Sequence, residues 1–502
     1  MTPLDAYGKL VAHSKEVAYL AGAVGLLHWD QSTHIPVKGH PHRANQLSAL
    51  AGILHRMATD PVIDEWLAAV EGTDLTQDPL SVEAVNIREW RRSYDRSVKI
   101  PQRLATELAR VASEGRGVWE RARPKNDWIG FKPYLERLVA LKREQAEALG
   151  FENEPYDALL DYYEQGETAR NLESLFARLR SSLVDLMERI KASRVRVEPL
   201  AEGPVFPIHA QKAFATEVAQ QIGYDLEAGR VDESAHPFTQ GMGPGDVRIT
   251  ARYSETQFCE GFFAVVHEAG HALYHQGLPV EHWGTPICHP ISLGVNESQS
   301  RLWENFVARS FPFWRHFYPK LRNVFPALKD VSLESFHRSI NEVTPSLIRT
   351  EADEVTYNLH VLIRFELEVH LIRGDLEVED LPEAWNEKMR EYLGLAPPNY
   401  AFGVMQDVHW AGGSIGYFPT YTLGNLYAAQ IMERAQTVLG DLSVQFEAGD
   451  FEALLRWLRV NIHSQGSRYL PRELVREVTG ESPNPRYLIE YLERKYSRLY
   501  EL

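Results

Sequence analysis

The chain has little cysteine: two residues, Cys259 and Cys288, in 502. That excludes a small disulfide-stapled scaffold and leads us to expect a reducing, cytoplasmic setting. It also lacks a long apolar run. The most apolar stretch, Val17 to Leu27, falls well short of the roughly 20 residues a membrane span needs. No small-residue cleavage site follows it, so it reads as a buried helix and not as a signal peptide. Positive charge is in deficit, with 53 Lys and Arg against 69 Asp and Glu and a net charge of −16. A nucleic-acid partner would call for a basic stripe. There is no Gly/Ser-rich linker and no repeat of fixed period. What remains is a globular chain with an ordinary hydrophobic content of 44%, and composition names no function for it.

Helical periodicity is abundant. Leu104–Val118, Tyr134–Leu149 and Leu454–Tyr500 carry apolar residues at spacings of three and four. In Asn171–Ile190, Leu172, Leu175, Phe176, Leu179, Leu183 and Leu186 fall on one stripe. Two stretches break the pattern. Asp246–Tyr253 alternates, with Val247, Ile249, Ala251 and Tyr253 on one face, and reads as a strand. Ala411–Gly424 is rich in glycine and reads as a functional loop or a helix entry. The expectation is a mainly α fold in a single domain over 1–502, with a small sheet near its middle.

The run His267-Glu268-Ala-Gly-His271 is the centre of the sequence. On a helix the two histidines lie one turn apart and reach one cation, with Glu268 beside them as a general base. Ser254-Glu-Thr-Gln257 has the form of a capping box that would start this helix, and Gly277 and Pro279 would end it. The bland alternative is a pair of structural histidines on a buried helix.

A zinc site of this type needs a third protein ligand. The position where one peptidase class carries a third histidine is Gly277. His275 lies too far along the same helix axis for tetrahedral ligation and reads as structural. Glu297 opens a second amphipathic helix that carries Leu302, Trp303, Phe306 and Val307. Enough chain separates it from His271 for an antiparallel return. On spacing alone, a solvated or helix-capping glutamate fits Glu297 equally well.

Several motifs in order resemble the carboxypeptidase Taq metallopeptidases. They are His236-Pro-Phe238, Asp246-Val-Arg248-Ile-Thr250, His267-Glu-Ala-Gly-His271, Glu297-Ser-Gln-Ser300, Ile348-Arg349-Thr-Glu-Ala-Asp353 and Gly403-Val-Met-Gln406-Asp407-Val-His409-Trp410. Trp29-Asp-Gln-Ser-Thr near the start and Thr479-Gly-Glu near the end extend the likeness over essentially the whole chain. One departure is Asn296, where the family often has histidine.

The resemblance implies a neurolysin-like helical body with a deep groove, residues 1–100 as a helical lid and 236–425 as the catalytic core. It implies a homodimer and a zinc site, with cobalt as an alternative, held by His267, His271 and Glu297. The implied activity is removal of single C-terminal residues from peptides with broad tolerance. An oligopeptide endopeptidase using the same metal site is the alternative. Glu268, Tyr417 and His409 would be catalytic, with Tyr417 ranked ahead of Tyr421 as oxyanion donor. Arg349 would clamp the substrate carboxylate, and Tyr421 and Gln406 would line the site. Asp353, taken to share a helix with Arg349, would orient a ligand histidine. Arg248 and His236 would close the far end of the groove, and the strand Val247–Tyr253 would pair with an extended peptide.

Overall fold

The computed structural model describes residues 1–198, 200, 203 and 205–502. The periodic stretches become the helices Gln102–Ala122, Trp128–Leu149 and Ala169–Ala192, each a little longer than its pattern. In the last, Leu172, Phe176, Leu179, Leu183 and Leu186 are buried, and the Thr168 hydroxyl accepts from the Asn171 N–H to start it. The C-terminal stretch divides into Glu452–Asn461, Pro471–Thr479 and Arg486–Tyr500.

The apolar run Val17–Leu27 is helical, within Pro3–Thr33, but it is not buried: Tyr19 is 66% and Leu26 43% exposed. This helix presents only a narrow face to the protein, where Gly22 and Gly25 approach the strand residues Gln240–Met242. The first hundred residues form helices whose apolar cluster, Ala6, Leu10, Ile63, Leu67, Val70 and Ile87, is separate from the main core. Polar bonds tie these helices to the rest. Arg92 and Arg96 donate to Asp161, and Asn86 Oδ1 accepts from the Ile287 N–H.

The sheet has three strands, β1 (Val231–Glu233), β2 (Phe238–Gly243) and β3 (Asp246–Ala251), in the order β1-β3-β2. Val247, Ile249 and Ala251 are buried, as the alternation predicts, while Tyr253 lies beyond the strand. β3 is the central strand, parallel to β1 and antiparallel to β2. Both of its edges are already paired, so it has no edge to offer a peptide, and that expectation is corrected.

The histidine helix spans Phe258–Gln276 and ends at Gly277. The capping box does not form. Ser254 instead closes a tight turn, its carbonyl accepting from the Gln257 N–H and its hydroxyl from the Thr256 N–H. Packing of Phe258 against Phe206, Phe262, Trp314 and Phe325 fixes the helix start.

The carboxylate helix, Leu293–Arg301, runs on as π-helix through Leu302–Ala308. All seven residues of the π segment are buried, so the element is not amphipathic as expected. It lies between the histidine helix and the helix Pro419–Leu439, and glycines on both sides permit the approach. A Cβ at Gly270 would stand 2.6 Å from Ser300 Cα, and one at Gly424 would stand 2.5 Å from Glu297 Cγ.

The helix Tyr357–Arg373 carries Glu368, whose buried carboxylate accepts from Trp410 Nε1 (2.8 Å), Tyr156 Oη (2.8 Å) and Gly416 N (3.0 Å). It thereby holds the irregular segment that precedes Pro419.

Two outcomes are expected. Gly270→Ala overpacks a backbone contact and should cost about 1–3 kcal/mol, read from the urea midpoint; an unchanged midpoint contradicts the close approach. Burial pushes the Glu368 carboxyl up from 4.5 to about 7. The folded state therefore binds an extra proton between those values, and this group's contribution to stability falls as pH rises through the window. Glu368→Gln should remove that slope, so its melting temperature relative to wild type should be higher at pH 8 than at pH 5. A pH-independent difference contradicts it.

Candidate metal centre and active site

His267 and His271 face Glu297 across the gap between their helices. One ligand atom from each of the three lies within 4.8 Å of the others. Glu297 Oε2 is 3.6 Å from His267 Nε2 and 3.4 Å from His271 Nε2. The opposite ring nitrogens are occupied: His267 Nδ1 meets Glu304 Oε2 at 2.8 Å, and His271 Nδ1 meets Asn296 Oδ1 at 3.1 Å. Because an ionised carboxylate only accepts, a hydrogen of His267 is assigned to Nδ1, toward Glu304, which leaves Nε2 as the atom that would face a cation. Two imidazoles and a carboxylate are the donor set a zinc-like divalent cation takes, so these residues fit such an ion.

Arg301 makes the buried charge tolerable. Its Nε donates to Glu297 Oε1 at 2.7 Å and its Nη1 to Glu304 Oε2 at 3.1 Å. Burial alone would raise the Glu297 carboxyl. The Arg301 guanidinium and the facing histidines outweigh that and hold it well below the usual carboxylate range. Glu304, equally buried, is held down to about 2 by Arg301 and His267. Glu304 stands seven residues after Glu297, on the same face of the run, and so meets Nδ1 of His267 while Glu297 faces Nε2. Glu268 follows His267 on the same helix and is 7% exposed. Its Oε2 accepts from Thr239 Oγ1 of β2 at 2.6 Å.

The family model for carboxypeptidase Taq (M32) metallopeptidase matches residues 9–496. The chain belongs to this family. It is 56% identical to thermostable carboxypeptidase 1 of Thermus thermophilus, with 100% of each chain covered. It is 38% identical to carboxypeptidase 1 of Bacillus subtilis over 97% of each. The crystal structure of an M32 carboxypeptidase from Deinococcus radiodurans superposes with a TM-score of 0.96 at 38% identity, covering 99% of this chain and 100% of that one. Metallocarboxypeptidase 1 of Trypanosoma cruzi gives a TM-score of 0.94 at 36% identity, covering 98% and 99%. The protein is thus a metallocarboxypeptidase, the family implies a metal, and the helical fold expected from sequence is the family's fold.

Beside the candidate ligands of this metallocarboxypeptidase stands a second cluster. Arg349 lies on a short 3₁₀ turn, Arg349–Glu351, and not on a helix shared with Asp353. Its Nε and Nη2 donate to Asp407 Oδ1 at 3.0 and 2.8 Å, and its Nη1 donates to Tyr357 Oη at 3.0 Å. Arg364 Nε donates to the other Asp407 oxygen at 2.7 Å. Two guanidiniums share one carboxylate, which leaves the cluster with excess positive charge. The Arg349 guanidinium lies 5.0 Å from the Tyr421 ring centre. Tyr421 Oη and His409 Nε2 are 3.2 Å apart, and the Tyr417 ring packs against both residues. Burial, with the negative charge of Glu297 adding to it, pushes the Tyr417 hydroxyl up to about 12. Burial and the neighbouring Arg349 push His409 down to about 4, so both groups are neutral near pH 7.

Two expected roles are corrected. Asp353 is a local cap: its carboxylate accepts from the N–H groups of Thr344, Val355 and Thr356 and from the Thr356 hydroxyl. Glu304 and Asn296 are the residues that orient the histidines. Gln406 has its amide spent within the protein. Its oxygen accepts from Arg349 N and Arg364 Nη2, and its nitrogen donates to the Leu347 and Phe402 carbonyls. It braces the Arg349 turn and has no free amide group for a substrate.

Arg248 is paired with Asp246 and lies 4.4 Å from the Trp29 ring centre. His236 is exposed on the turn between β1 and β2. Sequence reasoning missed Glu304, Arg301, Thr239 and Tyr357. Glu304 lies seven residues beyond Glu297, and the available signal was a second acid and an arginine in the same apolar run.

Glu304→Ala should weaken metal binding by about 10–100-fold, the usual effect of losing a carboxylate behind a ligand histidine. Chelator competition on protein with an unchanged circular dichroism spectrum measures it, and wild-type affinity contradicts the role.

Proposed function

We propose that this metallocarboxypeptidase removes single residues from the free C-terminus of peptides, with broad side-chain tolerance, using zinc or in its place cobalt at His267, His271 and Glu297. The carrying observation is the juxtaposition of two sites. Three convergent ligand atoms with Glu268 beside them lie next to a cluster of surplus positive charge at Arg349.

A cation at His267, His271 and Glu297 supplies Lewis acidity toward the scissile carbonyl and the attacking water. Thr239 holds one Glu268 oxygen. The other takes the proton from the water and passes it to the leaving amine. Arg349 receives the substrate carboxylate. Its pairing with Asp407 fixes the guanidinium plane, and Arg364 offsets the Asp407 charge. Tyr417 donates to the developing oxyanion, with Tyr421 as the alternative donor, and its protonated state near pH 7 supports that role. His409 serves as a second donor. Its Nδ1 is buried with no hydrogen-bond partner among the described residues.

Residues 1–100 act as a lid, which their separate apolar core and polar attachments support. Trp29 of that lid covers Arg248, and with His236 the pair closes the far end of the groove. The reading includes a homodimer and a cytoplasmic setting; the two free cysteines support the latter. No described helix is long and apolar enough to cross a membrane.

Mass spectrometry of short peptides incubated with metal-loaded protein should show stepwise loss of one C-terminal residue. C-terminally amidated peptides should be nearly inert, and Glu268→Gln should lower kcat by about 10²–10⁴-fold. Internal cuts, or full activity of the variant, contradict the reading.

A further inference from the structure

The short segment between the helices Pro155–Leu160 and Ala169–Ala192 touches both halves of the site without carrying a ligand. The Tyr163 carbonyl accepts from the Leu293 N–H at 3.1 Å, and Glu164 Oε2 accepts from the Gly294 N–H at 2.9 Å. These are the first two N–H groups of the helix that presents Glu297. Glu164 Oε1 accepts from Tyr427 Oη at 3.0 Å, on the helix that carries Tyr421. The Tyr163 ring stands edge-on to Tyr417, 5.2 Å between centres. Gly416 packs so closely on the helix end that leads into this segment that a Cβ there would lie 3.0 Å from Leu160 N.

Glu164 is fully buried, and among the described residues no lysine or arginine forms an ion pair with it. A carboxyl group is costly in such a place unless its oxygens are hydrogen-bonded. Here the compensation comes from the carboxylate helix itself. Burial pushes the Glu164 carboxyl up to about 7, against the bonds from Ser292, Tyr427 and Gly294. In either protonation state one oxygen can accept from Gly294, while Tyr427 can accept from or donate to the other.

We propose that Glu164 is a positioning residue that fixes the carboxylate helix against the helix of Tyr421 and so sets Glu297 opposite His267 and His271. The proposal rests on the reading of those three residues as metal ligands. An apolar side chain at position 164 leaves the Gly294 N–H and the Tyr427 hydroxyl buried and unpaired. The helix start then drifts toward other acceptors, and Glu297, one turn along, moves with it. Glutamine keeps an acceptor for Gly294 and offers its NH₂ to Tyr427, so it should rescue.

Zinc affinity of metal-free Glu164→Leu and Glu164→Gln proteins, measured by competition with a chelating dye, tests this together with kcat and KM. Glu164→Leu should bind zinc at least tenfold more weakly. Its kcat should fall by a similar factor with KM little changed, and Glu164→Gln should stay within about threefold of wild type. Should Glu164→Leu not fold, Tyr427→Phe, which deletes the bond from Glu164 to the helix of Tyr421, is expected to weaken zinc binding at least threefold. Wild-type affinity in the folded leucine variant, or in Tyr427→Phe when that is the one measured, overturns the proposal. A wild-type protein that takes up no zinc overturns the metal reading itself and the proposal with it.

Discussion

The carboxylate of Glu297 is buried at 6% exposure between two helices, and the surrounding structure is arranged to keep it charged there. Taking such a group out of water costs several kcal/mol unless opposite charge and hydrogen bonds replace the solvent. Arg301 supplies the charge, Ser300 and the histidine pair supply close partners, and Gly424 and Gly270 let the neighbouring helices come near enough to exclude water. Arg301 in turn is shared with Glu304, which orients His267. Ligand, counter-charge and orienting acid thus form one network on a single continuous run of α- and π-helix.

That network reaches the Arg349 cluster through one aromatic ring. The Arg301 guanidinium lies 4.5 Å from the centre of the Tyr357 ring, and the Tyr357 hydroxyl accepts from Arg349. Arg349 and Arg364 grip Asp407, and Gln406 locks the backbone beside them. The three-ligand cluster and the arginine cluster are therefore joined by buried polar contacts.

Much of this was legible in the sequence wherever the signal was local. Helical periodicity marked Ala169–Ala192, alternation marked β3, and His267-Glu-Ala-Gly-His271 marked the histidine helix and its two convergent imidazoles. Glu297 needed the family resemblance, because spacing alone fitted a solvent-facing acid equally well. Readings failed where tertiary contacts overrule local pattern. Ser254 has the letters of a capping box, yet its own turn and the packing of Phe258 set the helix start. Asp353 has the composition of an outer-shell acid but is used up by neighbouring N–H groups. Arg349 sits in a motif that reads as helix and forms a single 3₁₀ turn, since its side chain is held by Asp407, distant in sequence. Glu304 escaped notice although it stands seven residues, two helical turns, after Glu297, because a second acid on that face reads equally well as a solvent-facing glutamate.

The most direct measurement is the zinc content of purified protein that has been stripped, reloaded and desalted, compared across wild type, His271→Ala and Glu297→Ala. Wild type should retain about one equivalent, as three protein ligands with an open fourth position would hold it. Both variants should lose it while keeping the wild-type circular dichroism spectrum. A full equivalent retained by Glu297→Ala would contradict the assignment of the buried carboxylate as the third ligand.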